Sequence, residues 1–406
     1  MTSVADRLAR WAVMLEPSAD DLALADRALL DTVAVATAAR DHPIRELLGE
    51  MPECGAWSTL AHVLDFDDLH MESTAHLSAV CVPAALAADG DARAYLAGVG
   101  AMSRLGVALG WSHYAAGWHA TCTAGAPAAA VATAVAMGLD AERIAVAMAL
   151  AVPAAGGVQR AFGTAAKSLQ VGFATDAGAR AARLAAAGAT ADPGAVEQWL
   201  TLVGGDPERL DTSGPAVPGG LAIKLFPCCY ALQRPISAML ELADVDAHRV
   251  ARIVVRTPSA TLQPLIHSRP STGLEGKFSL EYALAAALLD GRPGFDSFTD
   301  DAVAREAARD LADRVDVIAT PGGDGLLSGT TAIELELDDG SHLNAALDLP
   351  PGAPTSPPAP ADLQAKIAGC AGDLAAEISS LTWAGAADFL RDRLAPYPAT
   401  RSASRG

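Results

Sequence analysis

Between residues 124 and 158 the chain is built from alanine and other small apolar residues, with Pro127, Asp140, Glu142, Arg143 and Pro153 breaking the run. Its uninterrupted pieces fall short of the roughly 20 residues that a membrane-spanning helix needs. The stretch therefore reads as buried helices of a soluble core. Alanine is the strongest helix former, and its small side chain lets helices approach closely. The same bias runs through all 406 residues: 51% are hydrophobic but only 5% aromatic. A sheet protein would draw more on Val, Ile, Tyr and Phe. The composition thus predicts a mostly α fold, and the length allows two or three domains.

Periodicity refines this. Residues 18–40 predict a helix capped by Ser18, with acids following at the positive end of its dipole. Residues 77–89, 91–109, 140–152 and 165–187 predict further helices, and no strand is expected before about residue 210. The character then changes. Residues 249–256 (RVARIVVR) alternate and are β-branched, and 331–347 predict a hairpin around an Asp-Asp-Gly turn. Helical patterns at 277–290 and 300–313 lie between them, a Pro-rich linker spans 349–361, and residues 362–393 are helical again. The expected organisation is a large all-helical domain, 1–232 and 355–406, plus a smaller α+β lid domain, 233–354.

The formal net charge of -19 argues against a nucleic-acid or membrane-surface partner, both of which are anionic. A small anionic substrate would need cations concentrated locally. Lysine is scarce: Lys167, Lys224, Lys277 and Lys366 are the whole set, with arginine supplying the other cations. A lysine kept in such a chain offers a compact ammonium whose pKa can be moved. The six cysteines form no C-x-x-C pair and no zinc spacing, as expected of a reduced, cytoplasmic protein. Residues 1–15 carry Asp6, Arg7 and Arg10 at helical intervals and no unbroken apolar core, so no secretory signal is expected.

Chemistry concentrates in a few places. DFDDLHMESTAH, residues 65–76, holds four acids and two histidines. It reads as a metal site, a metal-free acid/base loop or a solvated capping loop. A D-x-D-D cluster on a helical chain is also the magnesium-binding pattern of terpene synthases. Those enzymes need a second metal motif and an aromatic-lined cavity; no second motif is found, and 5% aromatics is meagre for such a cavity. Zinc would want a His-Glu helical pair or a cysteine set. In HYAAGWHATCTAG, 113–125, His119 and Thr121 precede small residues at a helix start, where spare N–H groups suit an anion. A core histidine bonded to a carbonyl is the competing reading, and nothing near Cys122 supports a nucleophile. Lys167 stands alone in the uncharged AFGTAAKSLQVG, and Lys224 falls where helical character gives way to α+β. Lys277 and Tyr282 are expected on different sides of one helix, with Glu275 or Glu281 available to pair with Lys277.

Taken together and in order, LDFDDLHMESTAHLSAVCVPAALA, HYAAGWHATCTAG, AFGTAAKSLQVGFATDAG, IKLFPCC and TGLEGKFSLEYALAAALLDG resemble the MmgE/PrpD family. That family includes 2-methylcitrate dehydratases, cis-aconitate decarboxylases and iminodisuccinate epimerases. The resemblance implies a helical domain made from both chain ends, an α+β lid, a homodimer, and no metal or organic cofactor. It places the polar site on Asp65, His76, His119, Lys167 and Lys224, with Tyr282 as a lid contribution. The chain departs from the family at Leu69, where many relatives have Thr, and at Leu77 and Ala120, where Pro often follows the histidine.

The implied chemistry is proton transfer at carbon next to a carboxylate in a small di- or tricarboxylate. Cations from Lys167 and Lys224 would stabilise the charge that grows on that carboxylate in the transition state. His76 and His119 would move the proton, Asp65 would orient a histidine, and Lys224, Tyr282 and Thr121 would bind substrate. Asp67, Asp68 and Glu72 are expected only to shape the loop. A methylcitrate-type dehydratase stands ahead of a decarboxylase or epimerase, and a catalytically silent metabolite binder is the alternative from another class.

Overall fold

The computed structural model describes residues 2–242, 245–321, 323 and 325–394. Ten helices come first: α1 (Val4–Met14), α2 (Ala19–Ala38), α3 (Glu53–Val63), α4 (Ser78–Leu86), α5 (Ala92–Ala115), α6 (Ala120–Ala136), α7 (Ala141–Ala151), α8 (Ala166–Ala186), α9 (Gly194–Leu202) and α10 (Tyr230–Leu240). Ser18 caps α2 as the sequence predicts, in a reciprocal box with Asp21, and Asp140 caps α7. α5 outruns its expected end by bending at Gly110, whose φ of 71° suits glycine. Among the described residues no strand precedes residue 250.

Small residues set how closely these helices pack. A Cβ at Gly172 of α8 would collide with Thr59 Oγ1 of α3 and lie 2.7 Å from the Gly55 carbonyl oxygen. One at Gly178 would strike the backbone of α6 at Ala126 and lie 2.7 Å from Ala129 Cβ. Contact at that range is what places the end of α3, the start of α6 and the start of α8 side by side. The main hydrophobic core runs through these helices and takes in the C-terminal helices Pro360–Ala371 and Trp383–Leu394. The helical return after residue 362 therefore rejoins the first helices; residues 395–406 of the expected domain lie outside the described residues.

The second core is built on a four-stranded sheet ordered β2-β1-β3-β4: β1 (Val250–Pro258), β2 (Val315–Thr320), β3 (Thr331–Leu337) and β4 (His342–Leu347). β1 pairs parallel to β2 and antiparallel to β3, and β3–β4 is the predicted hairpin. β3 alternates as a half-buried strand should, with Thr331, Ile333, Leu335 and Leu337 inward. β2 was not foreseen. It is short, has no buried residue and follows the helix Glu306–Ala312 with no turn signal. The helical pattern at 300–313 breaks at Arg305, whose extended ψ separates Asp300–Ala304 from Glu306–Ala312.

Candidate active site

α3 carries His62 in its last turn, and the chain leaves it at Asp65 with φ 52°. Asp tolerates that left-handed conformation better than most residues. The reversal turns the carboxylate toward two lysines. Asp65 Oδ1 lies 2.6 Å from Lys224 Nζ and 3.2 Å from Lys167 Nζ, and Lys224 also donates to the Asp65 carbonyl at 2.8 Å. All four lysines of the chain are buried. Lys366 pairs with Asp31 at 2.6 Å and donates to the Phe66 carbonyl, which fixes the same loop from behind.

A second chain of contacts crosses the first. Lys167 Nζ is 2.7 Å from His62 Nε2, and His62 Nδ1 is 2.7 Å from Asp67 Oδ2. With the ammonium donating to Nε2, the His62 proton sits on Nδ1 and is donated to Asp67. His76 Nδ1 approaches the same Asp67 oxygen to 3.1 Å without the alignment of a hydrogen bond, and its Nε2 is 3.9 Å from Asp65 Oδ1. The rings of His62 and His76 meet edge to face at 4.7 Å, and His119 lies 5.6 Å from His62.

His119 is the N-cap residue of α6; its Nδ1 is 2.6 Å from Gln170 Nε2 and 3.2 Å from Cys122 Sγ. Thr121, in the first turn of α6, accepts a hydrogen bond from the His76 N–H at 3.1 Å. It therefore positions His76 and does not line the cavity. Asp65, His76, His119 and Lys167 do line one cavity, with Leu69, Thr74, Tyr114, Phe162, Cys229, Tyr230, Phe278 and Leu326. The space free to solvent is about 10 Å³, room for one water. Among the described residues Asp65 Oδ2, Asp67 Oδ1 and His119 Nε2 are buried polar atoms without a hydrogen-bond partner, and His76 Nδ1 has only its poorly aligned approach to Asp67. Such atoms are rare in folded proteins and mark a place prepared for a polar ligand.

Electrostatics assign protonation. Burial opposes ionisation of Asp65, but the ammonium groups of Lys167 and Lys224 outweigh it and hold the carboxyl far below its usual range. Burial likewise opposes ionisation of Asp67, outweighed by His62 and His76. Burial brings His76 down to about 4, and lowers His62 and His119, the last aided by Lys167. Lys224 is raised, because Asp65 and Asp67 more than offset its burial. The resting site thus holds neutral histidines, ionised Asp65 and Asp67, and a charged Lys224. Cys122 and Cys229 are inert as nucleophiles, since burial pushes both thiols up, Cys229 to about 12.

Tyr282 is not brought to this cavity. It lies in Leu280–Asp290 within the second core, and its hydroxyl donates to the Ser297 carbonyl. Lys277 does not share its helix. It caps the single turn Gly273–Gly276 and donates to the carbonyls of Leu64 (2.9 Å) and Pro227. Neither glutamate pairs with it; Glu275 binds Ser271 instead. Burial brings Lys277 down to about 8. Asp68 and Glu72 keep to the loop-shaping role expected of them: Asp68 binds the Ser78 backbone and hydroxyl, and Glu72 is exposed. Asp67 does not. It is fully buried and is the acceptor on which two histidines converge. His62 and Gln170 were also missed. The one available signal was a lone histidine three residues before Asp65, near the end of a largely apolar helix.

His62, Asp67 and His76 bring ligating atoms within 4.8 Å of one another, which raises the question of a metal. The donor set fits a proton better. Asp67 Oδ2 already takes the His62 N–H, and Lys167 and Lys224 place two ammonium groups against the same cluster.

Two family models together match most of the chain, which belongs to the MmgE/PrpD family. The family's N-terminal domain matches residues 54–200 and its C-terminal domain matches residues 226–382. The chain is similar to a cis-aconitate decarboxylase of Aspergillus terreus, at 26% identity over 349 residues, 75% of this chain and 71% of that protein. It is equally similar, 26% over 353 residues, to the cis-aconitate decarboxylase of A. terreus strain NIH 2624 / FGSC A1156, with the same coverage of both chains. No helix among the described residues is long and apolar enough to cross a membrane.

Proposed function

We propose that the chain is a metal-independent lyase acting on a small di- or tricarboxylate, with decarboxylation of an unsaturated polycarboxylate as its reaction. The observation that carries this reading is the cavity itself. Lys167, His76 and His119 line it together with an apolar wall of Leu69, Phe162, Phe278 and Leu326, with Lys167 Nζ 5.5 and 5.4 Å from the Phe162 and Phe278 ring centres. The similarity to cis-aconitate decarboxylases supports decarboxylation ahead of dehydration.

A carboxylate lodged against the apolar wall is poorly solvated, which favours its departure as neutral CO2. The C–C bond breaks and its electron pair passes onto the carbon framework, toward the remaining carboxylate. Lys167 Nζ and the free His119 Nε2 are the groups placed to meet that charge, and they act most strongly on the transition state. His76, neutral in the empty site, gains a proton as the anion arrives, because a nearby negative charge favours its imidazolium form. It then delivers that proton to carbon and returns to neutrality. Asp65 and Asp67 hold the lysines and histidines in register.

Dehydration of a hydroxy-tricarboxylate is the second reading. Tyr230 favours it: the phenol lines the cavity, and among the described residues its hydroxyl meets only a thioether, Met71 Sδ at 3.9 Å, which leaves its O–H free to donate to a hydroxyl that departs as water. The protein works in the cytoplasm, where its six buried, unpaired cysteines stay reduced, and as a homodimer.

The test is incubation with cis-aconitate, citrate, methylcitrate and iminodisuccinate in D2O, followed by NMR. CO2 release with one deuteron placed on carbon supports the first reading, and water loss or addition the second. Tight binding of these acids with no turnover and no exchange would show a silent binder.

A further inference from the structure

Gln170 lies in α8, one turn after Lys167, and its side chain spans the gap to the 157–159 segment. Its amide makes three contacts. Oε1 accepts from the Val158 N–H at 3.2 Å, Nε2 donates to the Val158 carbonyl at 3.3 Å, and Nε2 is 2.6 Å from His119 Nδ1. The Val158 backbone decides which end of the amide is nitrogen. Rotated by 180°, the amide would set its NH2 against an N–H and its oxygen against a carbonyl oxygen, two repulsive contacts in place of two bonds. The nitrogen therefore faces His119, and a nitrogen carrying hydrogens can only donate there.

That donation has a consequence for the imidazole. Nδ1 accepts, so the ring proton of neutral His119 sits on Nε2. Nε2 is the buried atom with no protein partner, on a ring that lines the cavity. The ring is held in place as well. The His119 N–H donates to the Gly157 carbonyl, Gln159 N–H to the Gly117 carbonyl, and Phe162 packs edge-on at 5.1 Å. Burial and the neighbouring Lys167 keep the ring neutral.

We propose that Gln170 is a positioning residue that fixes His119 as its Nε2–H tautomer, making His119 a neutral hydrogen-bond donor to the substrate's anionic group and leaving proton transfer to His76. The sequence assigns His119 to acid/base duty; the geometry points to an electrophilic role instead. The proposal rests on the polycarboxylate reading for the identity of the anion, but not for the tautomer.

The experiment is 15N NMR of the full chain labelled at histidine, with His119→Gln used only to assign the ring signals. At pH 7 the wild type should show a protonated Nε2 and an unprotonated Nδ1 for residue 119. Gln170→Glu replaces the donor by a carboxylate, and should move the proton to Nδ1 while lowering kcat about 100-fold, the effect of losing one donor to a developing oxyanion. Gln170→Leu, which removes the amide donor without adding charge and leaves Nδ1 only the weaker Cys122 thiol at 3.2 Å, should give a mixture of tautomers and serves if the glutamate variant does not fold. A wild-type His119 protonated on Nδ1, or present as imidazolium, overturns the proposal. So does a Gln170 variant whose tautomer changes while kcat stays at the wild-type value. Because the wild-type spectrum needs no substrate, absence of polycarboxylate turnover would defeat the functional reading and leave the tautomer assignment standing.

Discussion

Lys224 grips Asp65 twice across 159 positions of sequence, with its ammonium 2.6 Å from the Asp65 carboxylate and 2.8 Å from the Asp65 carbonyl oxygen. Lys167 shares the same carboxylate oxygen. Asp65→Asn would leave two buried ammonium groups without their counterion. Breaking a buried pair from one side costs about 3–5 kcal/mol. Urea unfolding should show a loss of that order, together with loss of turnover. A variant as stable as the wild type would mean that Asp65 is not the keystone of the cluster.

His62 should prove as important as His76. His62→Phe leaves the buried Asp67 carboxylate without its hydrogen-bond donor and Lys167 with Asp65 as its one remaining acceptor, and an underpaired buried charge costs about 3 kcal/mol or more. His62→Asn keeps a donor toward Asp67 but loses the contact to Lys167. Unfolding curves should therefore rank wild type, Asn, Phe in falling stability, with turnover reduced in both variants.

Binding of the substrate anion should take up a proton. Free His76 is brought down to about 4, and an adjacent carboxylate raises it toward neutrality. Around pH 6 the complex then holds about one proton more than the separate partners, so affinity falls as pH rises. Calorimetric titration in buffers of different ionisation enthalpy measures this directly. His76→Gln should abolish the uptake; an unchanged uptake in that variant would move the proton elsewhere.

Stability should decline on mild acidification. The unfolded chain binds a proton at His76 below about 6.5, whereas the folded chain does so only near 4. Between those values the unfolded state carries more protons, so stability rises with pH and is lost as pH falls through the window. His62 and His119 act in the same direction. Asp65 and Asp67, held below the usual range, add a further loss below about 4. Asp68, which burial raises to about 7, opposes this trend, as does Asp31. Burial lowers His42, His70 and His113 as well and raises Glu281, so six histidines against three carboxyls leave the net loss, and the urea midpoint should be lower at pH 5 than at pH 7.5, by less in His76→Gln.

Zinc should inhibit and chelators should not. His62, Asp67 and His76 lie close enough together to trap an added zinc ion, which would displace Lys167 from His62. Dialysis against EDTA should leave turnover intact, and zinc inhibition should weaken in His76→Gln. Activity lost to EDTA and restored by magnesium or zinc would overturn the metal-free reading.

What the sequence by itself determined was everything encoded within a few neighbouring residues. Ser18 with Asp21 starts a helix because the two side chains complete each other's hydrogen bonds locally. Asp-Asp-Gly turns the hairpin between β3 and β4, and alanine-rich stretches at helical period become helices. The family motifs carried Asp65, His76, His119, Lys167 and Lys224, because each motif is a short local string. Only the tertiary structure decided the rest. Asp67 looked like a loop acid until α3 and the 65–76 loop set it between two histidine rings. Tyr282 looked like a lid contact until the backbone break after Lys277 turned it into the second core. The tautomer of His119 depends on an amide 51 positions away, and the orientation of that amide depends on the Val158 backbone. Side-chain identity fixes what a group can donate or accept. Which partner it meets, and at which atom, is set by the close packing of α3, α6 and α8, a relationship between distant segments that no local pattern records.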